Sequence, residues 1–263
     1  MFKNQCQQTG AYLQKKHDIP LSEYGFRAVQ TADGSWTLQS LKSDSELMHH
    51  SGGAVAETIY IYGHGLGEAI AQKKSDLGLI NILSVGLGIG INEMVAAGIL
   101  LQKKIPFEKT NLQSLEVQPF LIEQWRNFVN DVELVSELIS VYSDNLNQVA
   151  KQLSVSTEEI KLYLKNAYQN CWCVEGYLTA DFSPKQPAQV IFFDAYSSKS
   201  NPDLWEESFL TEFVQRSAST PSVFSSYASK SNLQRALQSN GFQIKKRIGF
   251  SGKRECLFAV KGE

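Results

Sequence analysis

The chain has 263 residues, 43% apolar and 20% charged, with 25 basic and 27 acidic side chains. That balance excludes a disordered, collagenous or disulfide-stapled protein, and the length suits one large domain with an appendage, or two domains. The longest apolar run, about eight residues near Met94–Leu101, falls far short of the roughly 20 that span a membrane. The first twenty residues hold no apolar secretion core, so a cytoplasmic protein without a membrane partner is expected.

Residues 1–75 read as a small β-rich N-terminal section. Within it, FRAVQTADGSWTLQSL gives two alternating strands about an Asp33-Gly34 turn, with a further strand-like run at Thr58–Tyr62 and a helical pattern over Leu66–Lys74. From 76 to 263 strands alternate with helices, the pattern of a parallel α/β sheet. Leu79–Val85 is a buried strand, Asn92–Lys103 a helix and Leu112–Val117 the next strand. A helical insertion fills about 120–170, with cap and first-turn signals at Ser156, Thr157, Glu158 and Glu159. Strands follow near 171–174, at Val190–Phe193 and at Val223–Ser226, with helices near 203–217 and 230–239. Phe242–Ile248 and Glu255–Val260 are too close in sequence for a crossover, so they pair antiparallel.

Four cysteines stand at 6, 171, 173 and 256. Cys171-Trp-Cys173 lacks a second pair or a nearby histidine, and zinc needs four convergent ligands, so buried thiols are expected rather than a metal site. The adjacent His49 and His50 are an equally weak metal signal. Charge is uneven. Residues 131–181 carry eight acidic and three basic side chains, whereas 230–263 carry eight basic and two acidic. The basic end reads either as a phosphate-facing patch or as solvated surface.

Gly86, Gly88 and Gly90 follow the buried strand and open a helix. Such a turn lets backbone approach a nucleotide-like ligand at a helix N-terminus, though it also closes sheets that bind nothing. The dinucleotide spacing G-x-G-x-x-G is not met; the tighter G-x-G-x-G suits a ligand without a pyrophosphate. Glu116 ends the next strand, where an acid accepts from ribose hydroxyls or is simply a surface residue. Asp194 ends the strand VIFFD at the expected crevice. Tyr196, Asn201-Pro202 and Trp205 after it offer hydrogen-bonding and stacking surfaces for a base or amine.

These stretches resemble the methyltransferase domain of the MnmC family. The matches are Asp33-Gly-Ser-Trp-Thr37-Leu38, Gly53-Ala54-Val-Ala-Glu57-Thr58, Gly86-Leu-Gly88-Ile-Gly90-Ile-Asn92, Asp194-Ala-Tyr-Ser-Ser-Lys-Ser-Asn201-Pro202-Asp-Leu-Trp205, and the closing Tyr227, Arg235, Gly241-Phe242 and Lys253-Arg254-Glu255. The resemblance implies a class I, Rossmann-like fold with a C-terminal antiparallel hairpin. It also implies methyl transfer from S-adenosylmethionine to the aminomethyl group of a tRNA wobble uridine. On that basis Gly86, Gly88, Gly90, Asn92 and Glu116 would hold the cofactor, and Asp194 would orient the amine and accept its proton. Tyr196, Asn201 and Trp205 would wall the acceptor, while Arg235, Lys253, Arg254 and Lys245–Arg247 would meet phosphates. Neither a metal nor FAD is expected. The chain departs from the family at Ser84, where an acid is common, at Tyr196 and Ser198, and at Gly176-Tyr177, where Gly-Asp is usual; Glu175 and Asp181 are possible substitutes. Two alternatives stay open: an enzyme acting on a small amine, by methyl or aminopropyl transfer, and a non-catalytic fold that binds tRNA or a partner.

Overall fold

The computed structural model describes residues 19–42, 46–72 and 78–262; Cys6 and the last two residues of the Leu66–Lys74 pattern lie outside them. Strands β1 (Phe26–Gln30) and β2 (Trp36–Ser40) form the expected hairpin, paired from Phe26↔Ser40 to Gln30↔Trp36. The Thr58–Tyr62 run is not a strand. It belongs to one helical stretch: α1 (Ala54–Thr58), a π-helical turn (Ile59–Gly63) and α2 (His64–Gln72). The alternating IYIY mimics a strand, but the backbone is committed to helix by its cap. Ser35 Oγ accepts from the N–H of Ala54 (2.9 Å) and Val55 (3.2 Å), and Asp33 Oδ2 from that of Ala56 (3.3 Å). Those bonds satisfy donors that a helix start leaves orphaned.

Seven strands form the main sheet: β3 (Ile80–Val85), β4 (Thr110–Leu115), β5 (Trp172–Glu175), β6 (Ala188–Phe193), β7 (Ala218–Ser226), β8 (Gln243–Arg247) and β9 (Cys256–Lys261). Their order is β5-β4-β3-β6-β7-β9-β8. The first five run parallel, and β9 is antiparallel to both β7 and β8. This is the Rossmann-like plan with the antiparallel ending read from the sequence. Strand order reverses between β3 and β6, so the crevice at their C-terminal ends is where such a sheet takes a ligand.

Helix α3 (Ile91–Gln102) is buried along its whole length from Ile91 to Leu100, as expected of a helix apolar on every side. It lies between the sheet and the insertion, whose helices are α4 (Pro119–Val129), α5 (Ser136–Leu153) and α6 (Thr157–Asn170). Ser156 and Glu159 close a reciprocal capping box at the start of α6. The opposite face is covered by α7 (Glu207–Ser217) and α8 (Ser231–Ser239), with Phe193, Phe213 and Phe224 in that core. The acidic insertion holds the N-terminal hairpin. Asn145 exchanges two hydrogen bonds with the backbone of Trp36, Asp144 accepts from the Trp36 indole at 3.0 Å, and Gln148 donates to Asp33 O.

Cys171 and Cys173 sit half-buried at the sheet edge rather than fully buried. The Cys171 thiol donates to Phe107 O, and Cys173 Sγ lies 3.5 Å from Lys185 Nζ. No group of three or more potential metal ligands occurs among the described residues, and no described helix is long and apolar enough to cross a membrane.

Ser84 lies beside a buried acid from another element. Glu93, on the first turn of α3, is fully buried and accepts from Ser114 Oγ at 2.7 Å; Ser114 pairs with Ser84 across β3 and β4. Burial lifts its carboxyl from the ordinary 4.5 to about 7. A raised carboxyl favours the fold below its unfolded pKa and loses that contribution as pH climbs through the folded one. Glu93→Gln is therefore expected to match wild type in stability below pH 4.5 and to exceed it by on the order of 2 kcal/mol above pH 8. Urea denaturation at the two pH values measures the difference.

Candidate active site

A cavity of about 770 Å³ opens at the C-terminal ends of β3, β4 and β6. Its floor is the turn after β3. Gly86, Gly88 and Gly90 have φ of 94°, 53° and 74°, a region that side chains with a Cβ seldom occupy. Space matters as well: a Cβ on Gly86 would sit 2.4 Å from Asp194 O. The turn is tied to β4 by Gly86 and Leu87 N–H, both donating to Leu115 O at 3.0 Å.

Gly90 and Asn92 do not line the cavity. A Cβ on Gly90 would lie 2.1 Å from the Trp125 ring, so this glycine makes room for an indole. Asn92 is buried and donates to Asp194 Oδ2 at 2.9 Å, so its side chain holds that carboxylate. Glu116 is nearly buried at the cavity wall. Its Oε2 accepts from Gly88 N–H and its Oε1 from Gln118 N–H, both at 2.9 Å. Burial raises its pKa, partly offset by those backbone donors. Each oxygen keeps a second lone pair, which a sugar hydroxyl can use.

Asp194 stands where β6 ends, its N–H bound to Val85 O at 2.8 Å. Tyr62 OH donates to Oδ1 at 2.7 Å and Asn92 to Oδ2. Burial pushes the carboxyl up to about 7; the charge of Glu57 adds to the rise, while Tyr62, Asn92 and Lys253 oppose it. Tyr62 carried no signal in the sequence. It is delivered by the π-helical turn, a feature often found at functional sites.

The rest of the cavity comes from distant segments. Glu46 receives hydrogen bonds from Ser197 and Ser200 and holds the loop after β6. His49, bonded to Thr37, is pulled down to about 4 by burial and stays neutral at physiological pH. Glu57, buried, pairs with Lys253 at 2.8 Å and accepts from His50 N–H. Tyr196 and Asn201 line the cavity, and the buried Tyr196 hydroxyl has no hydrogen-bond partner among the described residues.

Three expected contacts lie elsewhere. Trp205 is turned into the core, where its N–H binds Tyr196 O at 2.8 Å and its ring meets Phe193 edge-on; it braces the loop rather than offering a stacking face. Arg235 is held by Glu207 at 2.6 Å on the far side of α8. Lys253 is part of the cavity wall, where it pairs with Glu57. Arg254 and Lys245 remain exposed.

The residues present fit S-adenosylmethionine: a glycine floor open to close approach, a wall carboxylate whose remaining lone pairs could accept from ribose hydroxyls, and apolar Val117 and Leu178 in the same lining. Residues 132–262 match the family described as S-adenosyl-L-methionine-dependent methyltransferase. An uncharacterized protein of Methanocaldococcus jannaschii is 26% identical over 89% of this chain and 59% of its own length. The bifunctional tRNA 5-methylaminomethyl-2-thiouridine biosynthesis protein MnmC of Paraburkholderia xenovorans is 23% identical over 81% of this chain. The chain spans 32% of that relative's length. The crystal structure of MnmC2 from Aquifex aeolicus shares the fold, with a TM-score of 0.61 and 22% identity over 97% of this chain and 82% of that one.

Removing the Tyr62 hydroxyl takes away a donor that favours the ionised carboxylate. Tyr62→Phe is expected to raise the Asp194 midpoint by on the order of one pH unit, the equivalent of one hydrogen bond. Carbon-13 NMR of the labelled aspartates reads the shift directly.

Proposed function

We propose that this chain, which is similar to S-adenosyl-L-methionine-dependent methyltransferases of the MnmC type, methylates the primary amine of a 5-aminomethyl uridine at the wobble position of tRNA, in the cytoplasm. The observation that carries the reading is Asp194, a carboxylate held on both oxygens in the cavity wall beside the glycine turn.

The cofactor supplies a methyl group on a sulfonium, already activated. What remains for the protein is alignment and proton handling. The amine must meet the methyl carbon with its lone pair free. With the cofactor bound, the new nitrogen–carbon bond would form as its sulfur–carbon bond breaks, leaving one proton on the nitrogen for this chain to remove. Asp194 accepts a hydrogen bond from the amine and takes that proton; an acid–base group near pH 7 suits the exchange. Tyr196 and Tyr227 line the path of a flat base, and Asn201 adds a polar contact. Neutral His49 adds no positive charge to repel an incoming ammonium.

A second reading, transfer to a free small amine, gains from one finding. Of the basic residues assigned to phosphates, Arg235 is paired with Glu207 and Lys253 with Glu57. Exposed Arg254 and Lys245 still give tRNA a cationic approach, whose affinity falls as salt rises.

The test is methylation by labelled S-adenosylmethionine of bulk tRNA from cells lacking MnmC activity, with nucleosides identified by mass spectrometry. Conversion of the aminomethyl uridine is expected, with kcat/KM declining as pH falls through about 7 because protonated Asp194 cannot accept. Asp194→Asn should lower kcat by roughly 10²–10⁴ with cofactor affinity retained. Methylation of a free amine in place of tRNA would establish the second reading.

A further inference from the structure

Lys253 is an unusual cation. Its side chain is 35% exposed and opens on the cavity, and it pairs with Glu57, whose side chain is 6% exposed. Its Nζ also lies 5.3 Å from the centre of the Tyr227 ring. The backbone beneath it is tightly seated: a Cβ on Gly249 would come within 2.5 Å of Lys253 O. Glu57 is fixed in turn by His50 N–H at 2.6 Å. An ammonium has three donors. One is taken by Glu57, which leaves donor capacity toward the cavity that also holds Asp194.

Charge decides what that donor can take. The Glu57–Lys253 pair is neutral as a unit, so adding a carboxylate or phosphate would leave an uncompensated negative charge in a partly desolvated site. A neutral carbonyl oxygen needs no countercharge. The cavity therefore presents an acceptor, Asp194, and a neutralised donor, Lys253. Its complement is a molecule with an amine and a carbonyl close together. In a uracil ring the 4-carbonyl adjoins the carbon that bears the 5-substituent, whereas cytosine places an amino donor at that position.

We propose that Lys253 is a specificity-determining residue that donates to the ring carbonyl next to the aminomethyl group and thereby selects a uracil-type base over a cytosine-type one. The proposal rests on the reading of the acceptor given above. Glu57 is the positioning residue behind it, holding the ammonium in place and cancelling its charge.

The experiment uses the full chain and two RNA hairpins that differ only in one base, 5-aminomethyluridine or 5-aminomethylcytidine. Wild type is expected to prefer the uridine in kcat/KM by at least about tenfold, since a site built to bond one polar group rejects a base that presents the opposite one. Lys253→Met alone strands a buried carboxylate, so the Glu57→Gln/Lys253→Met double variant is measured beside it. The double variant should bring the preference close to unity, with affinity for S-adenosylhomocysteine within about twofold of wild type. A preference that survives in the double variant overturns the proposal. A fall in S-adenosylhomocysteine affinity that matches the loss of activity also overturns it, and assigns Lys253 to the cofactor's carboxylate instead. Wild type that binds S-adenosylhomocysteine yet methylates neither hairpin defeats the acceptor reading itself, and the proposal with it.

Discussion

A carboxylate set into the C-terminal end of a central parallel strand, away from most solvent, must be hydrogen-bonded on each oxygen or give up its charge. Asp194 meets that condition through Asn92 on α3 and Tyr62 on the π-helical turn. The two donors come from different elements far upstream, one from the helix that the glycine turn opens and one from the N-terminal section. Much of the surrounding architecture follows from bringing them together. The glycine at 86 allows the β3 turn to pass against the backbone of Asp194. The cap at Asp33 and Ser35 starts the helix that delivers Tyr62. Insertion helix α5 pins the hairpin that carries the cap.

The N-terminal section is therefore part of the site. Glu57, Tyr62 and His49 all come from it, and through Lys253 it reaches the segment just before the last strand. The shared Asp33-Gly-Ser stretch has a structural meaning here. Asp33 Oδ1 accepts from Thr31, from Ser35 N–H and from Ser35 Oγ, while its other oxygen caps α1. A motif that looks like a plain hairpin turn thus sets where the helical stretch carrying Glu57 and Tyr62 begins.

Much of the fold was legible because its signals are local. Buried strands, the glycine turn, the Ser156 capping box and the short final connection each follow from a few neighbouring residues. What escaped was set by distant contacts. Alternation in IYIY describes a strand until Ser35 and Asp33 cap the segment as helix. Gly90 and Asn92 belong to the glycine motif by position, yet one clears space for Trp125 and the other serves Asp194. Trp205 follows an Asn-Pro pair as a stacking residue would, but its indole N–H finds Tyr196 O inside the protein. Counting charges puts Lys253 in a basic patch. Only the fold shows that Glu57, nearly two hundred positions earlier, draws it inward. Ser84 is similar: its buried acidic neighbour, Glu93, comes from the adjoining helix, which no strand-based reading anticipates.

Glu57 and Tyr62 lie five positions apart. In an unbroken α-helix, side chains so spaced diverge by about 140° around the axis. The Ile59–Gly63 turn has the wider i→i+5 closure, which rotates the two back toward a common side. The turn thus acts as a phase correction. Its wide closure, rather than the identity of its apolar residues, is the quantity under constraint. Closing the same five residues as ordinary α-helix would leave both ends helical and the sheet untouched, yet swing the Tyr62 phenol away from Asp194.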